Sequence, residues 1–186
     1  MKPLFSFLVK PLNGKRYNNT KNIEGVEFIT SVSQEDHTAT QRYATVVETP
    51  IGYSGDVKIG DTIIVHHNIF RKYYGMGGNE KSGFGHIIDD LYLVDLDQAY
   101  LHTQENSEWY SIDDFVFIKP VDSTLSFSTD IYEPNHGIVR YTNKKLLSQE
   151  VTAGTKVIFT PYSEYQFIIG EEMLYRMKTK DISIVL

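Results

Sequence analysis

The sequence predicts an all-β protein built from two tandem copies of one small barrel-like unit. Three observations carry this. Apolar residues recur with a period close to two along the chain, and no stretch shows the 3.6-residue stripe of an amphipathic helix. Thirteen Tyr and ten Phe among 186 residues suit a pleated, half-buried surface. Four blocks of strand-and-turn sequence occur twice, in the same order.

Taken along the chain, strands are predicted at residues 4–11, 43–48, 62–70, 91–94 and 99–102. A second set follows at 115–119, 137–141, 156–160, 165–169, 173–177 and 182–186. Gly, Pro, Asn and Asp punctuate these runs, as turn formation requires. A single helical turn fits near 95–98 and near 178–181, and no long helix is expected.

The repeat begins with Phe5-Ser6-Phe7-Leu8-Val9-Lys10-Pro11, which parallels Asp114-Phe115-Val116-Phe117-Ile118-Lys119-Pro120. Tyr43-Ala44-Thr45-Val46-Val47 then parallels His136-Gly137-Ile138-Val139-Arg140. Next, the stretch from Val57 through Gly60 and Asp61 to Val65 parallels that from Val151 through Gly154 and Thr155 to Phe159. Each places a glycine, for which a positive φ is cheap, just before a buried strand. Finally 91–94 with 97–101 parallels 174–177 with 181–185, so that Asp97 is set against Asp181. The boundary falls in the polar stretch 103–108, giving a first unit over 1–104 and a second over 108–186. The first unit carries two insertions, a long polar segment at 13–40 and a Gly-rich hairpin at 75–85. In the second, 121–135 replaces the long segment.

Composition removes several function classes. A formal charge of −6 with dispersed Lys and Arg excludes nucleic acid as the principal partner. Lys15-Arg16 with Lys21 reads as a solvated face. The chain has no cysteine, which eliminates disulfides, thiolate catalysis and Cys-based zinc sites and suits a reducing cytoplasm. No apolar run approaches a membrane span, and the alternating N-terminal run reads as a strand rather than a signal peptide.

The motif search points away from catalysis and cofactors. Gly75-Met76-Gly77-Gly78-Asn79-Glu80-Lys81-Ser82 approximates a phosphate-binding loop, but Glu80 stands where phosphate would approach and no helix follows. His66-His67, His86 and His102 lack three convergent ligands, because adjacent strand residues face opposite ways. Asp89-Asp90 and Asp113-Asp114 read as charges that blunt strand edges. No nucleophile elbow or metalloprotease helix is present. The expectation is a non-enzyme with no cofactor and no metal.

The second copy carries a family resemblance. Val151-Thr152-Ala153-Gly154-Thr155-Lys156-Val157-Ile158-Phe159, then Glu171-Glu172-Met173-Leu174, then Asp181-Ile182-Ser183-Ile184-Val185 resembles the GroES-type co-chaperonins. The first copy is similar through Val57-Lys58-Ile59-Gly60-Asp61-Thr62-Ile63-Ile64-Val65, where Asp61 supplies the family's acidic residue. The resemblance implies two GroES-like β-barrels, self-assembly into a ring, and a loop after the first strand that docks on a chaperonin. In this chain the loop position is 13–40. Its apolar cluster, Gly25, Val26, Phe28 and Ile29, is the implied partner-binding site, interrupted by Glu27. Tyr73, Tyr74, Tyr162 and Tyr165 are the implied roof residues facing a cavity. The expected function is therefore a co-chaperonin-like oligomeric lid that binds itself and a chaperonin, with neither nucleic acid nor membrane as partner. The alternative is a structural or assembly protein, of the kind viruses encode, that reuses the barrel without a chaperonin.

Overall fold

The computed structural model describes residues 1–18, 20–23, 26–29, 39–83, 85–104, 108–123 and 132–186. The chain is all-β, and its single α-helix among the described residues is one turn long, α1 (Lys144–Leu147). It divides into two compact units, Met1–Glu108 and Trp109–Leu186.

The first unit contains β1 (Phe7–Pro11), β2 (Thr20–Ile23), β3 (Val26–Ile29), β4 (Tyr43–Glu48) and β5 (Thr62–Val65). It continues with β6 (Lys72–Tyr74), β7 (Glu80–Ser82), β8 (His86–Ile88), β9 (Leu91–Val94) and β10 (Ala99–Thr103). The main sheet of this unit runs in the order β10-β5-β4-β1-β9-β8, while β2-β3 and β6-β7 form separate two-stranded hairpins. The second unit contains the short β11 (Tyr110–Ser111), then β12 (Phe115–Asp122), β13 (Tyr132–Tyr141), β14 (Lys156–Phe159), β15 (Tyr165–Ile169), β16 (Glu172–Lys178) and β17 (Ile182–Val185). Its six-stranded sheet runs β17-β14-β13-β12-β16-β15.

Strand by strand, these two orders are the same. The registers agree as well: Val9 pairs with Val46 and Tyr92, while Ile118 pairs with Val139 and Tyr175. The glycine turns match bond for bond. Gly60 and Gly154 have φ of 93° and 91°, a region open to glycine at little cost. Their N–H groups donate to Val46 O and Val139 O at 2.8 Å, and those valines' N–H groups donate back to Asp61 O and Thr155 O at 2.9 Å. The final block differs from the sequence alignment by one residue. Ile63 pairs with His102 and Val157 with Val185, which sets Gln98, not Asp97, against Asp181. The reason is the 3-10 turn before each last strand, Leu96–Gln98 and Thr179–Asp181, which ends on those two residues.

Each unit has its own core. In the first, Phe7, Val9, Val46, Ile63, Tyr92 and Leu101 are essentially inaccessible to solvent. In the second, Val116, Ile118, Val139, Leu146, Val157 and Met177 pack together. One methyl group has changed sides between them: Val9 with Ala44 in the first corresponds to Ile118 with Gly137 in the second. A Cβ on Gly137 would run into Ile118 Cγ2 and crowd Lys119 O. Gly137→Ala should therefore cost about 2 kcal/mol through overpacking, and adding Ile118→Val, which removes Cδ1 but keeps Cγ2, should not recover it. Urea denaturation followed at Trp109 would check this.

The polar faces repeat in outline. Lys10 pairs with Asp90 at 3.4 Å, whereas Lys119 and Arg140 converge on Glu172 at 3.3 and 3.0 Å. Partial burial pushes the Glu172 carboxyl up, but hydrogen bonds from Arg140 and Lys119 outweigh it and hold the group below its ordinary value.

Several elements depart from the sequence reading: β12 and β13 run beyond the expected 115–119 and 137–141, and β8 and β11 were not expected. The strand expected over 4–11 begins only at Phe7, leaving Leu4 and Phe5 exposed. The strand expected over 62–70 stops at Val65, because the backbone turns: Ile69 N–H donates to His66 O, and Asn68 N–H to His66 Nδ1. His66 and His67 therefore do not alternate across a strand, and their rings lie 4.1 Å apart. The helix α1 was not anticipated. Asn143 caps it, its side chain accepting from Leu146 N–H at 2.9 Å.

Candidate partner-binding site

The segment 13–40 leaves the first unit between β1 and β4. Within it β2 and β3 form an antiparallel hairpin with Thr20 opposite Ile29, Lys21 opposite Phe28, Asn22 opposite Glu27 and Ile23 opposite Val26. Val26, Phe28 and Ile29 thus sit on one strand of a hairpin. Gly25 lies outside the described residues, as do Glu24 and 30–38. In the second unit the corresponding stretch, 124–131, also lies outside them.

The base of the segment is tied by polar contacts. Tyr17 bridges to Thr40, Asn18 N–H donates to Ala39 O at 2.7 Å, and Gln41 N–H donates to Arg16 O at 2.9 Å. The side-chain amides of Asn18 and Gln41 bond to each other in both directions, at 3.0 and 3.1 Å. Gln41 is buried, so this paired arrangement satisfies groups that would be costly to desolvate alone.

Arg16 is not part of a solvated face. Its Nε donates to Phe70 O at 2.9 Å, and its two terminal nitrogens donate to Ser82 Oγ at 3.2 Å and Arg71 O at 3.3 Å. The guanidinium also lies over the Tyr92 ring, 5.5 Å from its centre. Burial raises the Tyr92 hydroxyl above its ordinary range, with Arg16 and a Ser82 hydrogen bond pulling the other way. Tyr17 adds a further bond, its hydroxyl accepting from Lys72 N–H at 2.8 Å. Sequence reasoning missed this cluster because nothing local marks an arginine whose acceptors lie more than fifty positions away.

Of these partners, Lys72 and Ser82 belong to the Gly-rich hairpin formed by β6 and β7, and Phe70 and Arg71 lead into it. Lys72, Tyr73 and Tyr74 pair with Ser82, Lys81 and Glu80, and a Lys72–Glu80 ion pair of 2.8 Å reinforces the register. At the tip, Gly75 N–H donates to Asn79 O and Gly78 N–H to Gly75 O. A strand follows the tip, not the helix a phosphate-binding loop requires. Met76 at the tip is fully exposed, and Tyr73 and Tyr74 are 37% and 49% exposed. A cleft of about 750 Å³ opens beside the hairpin, lined among others by Asn68, Ile69, Tyr73, Ser82, Leu93 and Asp95.

In the second unit Tyr162 is 97% exposed at a positive φ of 63°. Tyr165 is half-buried, with the Arg176 guanidinium 4.8 Å from its ring centre and Phe167 beside it. The histidines do not converge on a metal: His86 Nε2 meets Asp89 O at 2.9 Å, and His102 Nδ1 meets Asp61 Oδ2 at 3.2 Å. Among the described residues no three His, Asp or Glu side chains cluster, and no helix is long and apolar enough to cross a membrane. A scan against protein-family models and a search of the curated proteins return no match to this chain.

The last strands of the two units differ in exposure. All five residues of β10 are buried, whereas in β17 Ile184 and Val185, followed by Leu186, are each more than half exposed. An apolar sheet edge with unpaired backbone groups favours association with another chain.

Proposed function

We propose that the chain is a non-enzymatic, co-chaperonin-like assembly factor of the cytoplasm. Its two units are GroES-like barrels arising by tandem duplication; it self-associates through strand edges and engages a chaperonin-type partner through the β2-β3 hairpin. The observation that carries this is positional. The two units have one strand order, but the connection from β1 to β4 is longer than that from β12 to β13, and it contains the hairpin with Val26, Phe28 and Ile29 on one strand. That is where the resembling family places its docking loop. The apolar β17 edge supports self-association, and repetition of a weak contact around an oligomer would raise its avidity.

Light scattering of the purified chain, followed by titration with a chaperonin, tests both halves. A closed oligomer that binds the chaperonin, and loses binding on Phe28→Asp while keeping its mass, is the expected result. A strict monomer would overturn the lid reading. An oligomer indifferent to chaperonin would establish the structural-protein alternative instead.

A further inference from the structure

The first unit projects two hairpins, β2-β3 and β6-β7, and both are rooted in one cluster. Arg16 and Tyr17 stand at the foot of the first; they bond to Ser82 Oγ and Lys72 N–H of the second, and to Phe70 O and Arg71 O just before it. The fixing contacts are strong for their size. A guanidinium fork satisfied by two carbonyls and a hydroxyl holds direction as well as distance, and the Tyr92 ring beneath it is wholly buried. The second hairpin is short: its strands are three residues each, its tip is glycine-rich, and among the described residues it forms a two-stranded sheet of its own.

We infer that Arg16 and Tyr17 couple the two hairpins, so that ordering β2-β3 also orders the Gly-rich hairpin β6-β7. Closing β2-β3 restricts the backbone that leads into it at residues 16–18, which lowers the entropy cost of keeping the Arg16 fork and the Tyr17 hydroxyl in place. The hairpin those groups hold then opens less often. The consequence for function, that a docked partner stiffens a surface bearing Tyr73, Tyr74 and Met76, rests on the partner-binding reading above. The coupling itself is a property of the free chain, and its test contains no partner, so the two can fail separately.

The absence of cysteine makes the test clean. Asn22→Cys with Glu27→Cys places two thiols on directly opposed residues of β2 and β3, within disulfide reach for an antiparallel pair. Hydrogen exchange is then compared between oxidised and reduced protein. Oxidation should slow exchange at residues 72–82 about tenfold, leave 115–122 and 172–178 unchanged, and lose this effect in Arg16→Met. Tyr17→Phe, which removes one hydroxyl, should weaken it and serves if Arg16→Met does not fold. Exchange at 72–82 that ignores the redox state would overturn the inference. So would slowing that survives both substitutions, or that spreads evenly over the whole first unit.

Discussion

Asp61→Ala should destabilise the first unit by about 3 kcal/mol, the range for breaking a buried polar pair. Asp61 and His102 are 5% and 4% exposed, and one carboxylate oxygen accepts both His102 Nδ1 at 3.2 Å and Lys58 N–H at 2.9 Å. Removing the carboxylate therefore loosens the Gly60 turn and deprives a buried imidazole of its acceptor. The second unit shows the same turn without this pair. Thr155 Oγ1 takes the Thr152 N–H, and the position of His102 is occupied by Val185. Asp61→Thr alone should thus keep the turn bond yet still lose about 2 kcal/mol, and Asp61→Thr with His102→Val should regain most of that. Thermal or urea unfolding of wild type, Asp61→Thr, His102→Val and the double variant forms a double-mutant cycle. Single losses that simply add up to the loss in the double variant would show that the two residues do not act together.

Asn143→Ala should cost the second unit about 3 kcal/mol, from a lost helix cap plus a lost buried donor. The side chain is 3% exposed and has three partners: its oxygen accepts from Leu146 N–H, and its nitrogen donates to Phe115 O at 2.9 Å and Thr179 Oγ1 at 2.7 Å. One amide thereby joins α1, the start of β12 and the turn before β17. Asn143→Asp separates the terms, since it keeps the acceptor for Leu146 and removes the donor. Urea denaturation should place the Asp variant between wild type and Ala. An Asp variant as stable as wild type would assign the whole effect to the cap.

The strand plan was legible in the sequence because it depends on local chemistry. Alternating runs such as 43–48 and 165–169, and glycines at 60 and 154, each specify their own geometry without reference to distant residues. Matching those local signals was enough to align the first three repeated blocks in the registers the structure shows. The fourth slipped by one residue because matching Asp97 to Asp181 favoured identity over the length of the 3-10 turns. The strand overrun at 66–70 has a similar origin, since an apolar Ile69-Phe70 pair reads as strand although both are buried beyond a turn.

The candidate site was legible only as an insertion. That 13–40 is a long polar stretch between two predicted strands is legible in the sequence, and so is the position of the Gly-rich hairpin. The β2-β3 register, the paired amides of Asn18 and Gln41, and the Arg16 fork are not, because their partners are chosen by how the chain returns on itself.

By itself, then, the sequence determined an all-β chain and the places of its glycine turns. Pattern and backbone conformation are properties of neighbouring residues, and they are read where they stand. The tertiary structure alone decided which charges and edges have partners. It held Arg16 against carbonyls far along the chain, joined Asp61 to His102, and left β17 more exposed than β10. Those outcomes depend on distance in space, which composition and periodicity do not encode.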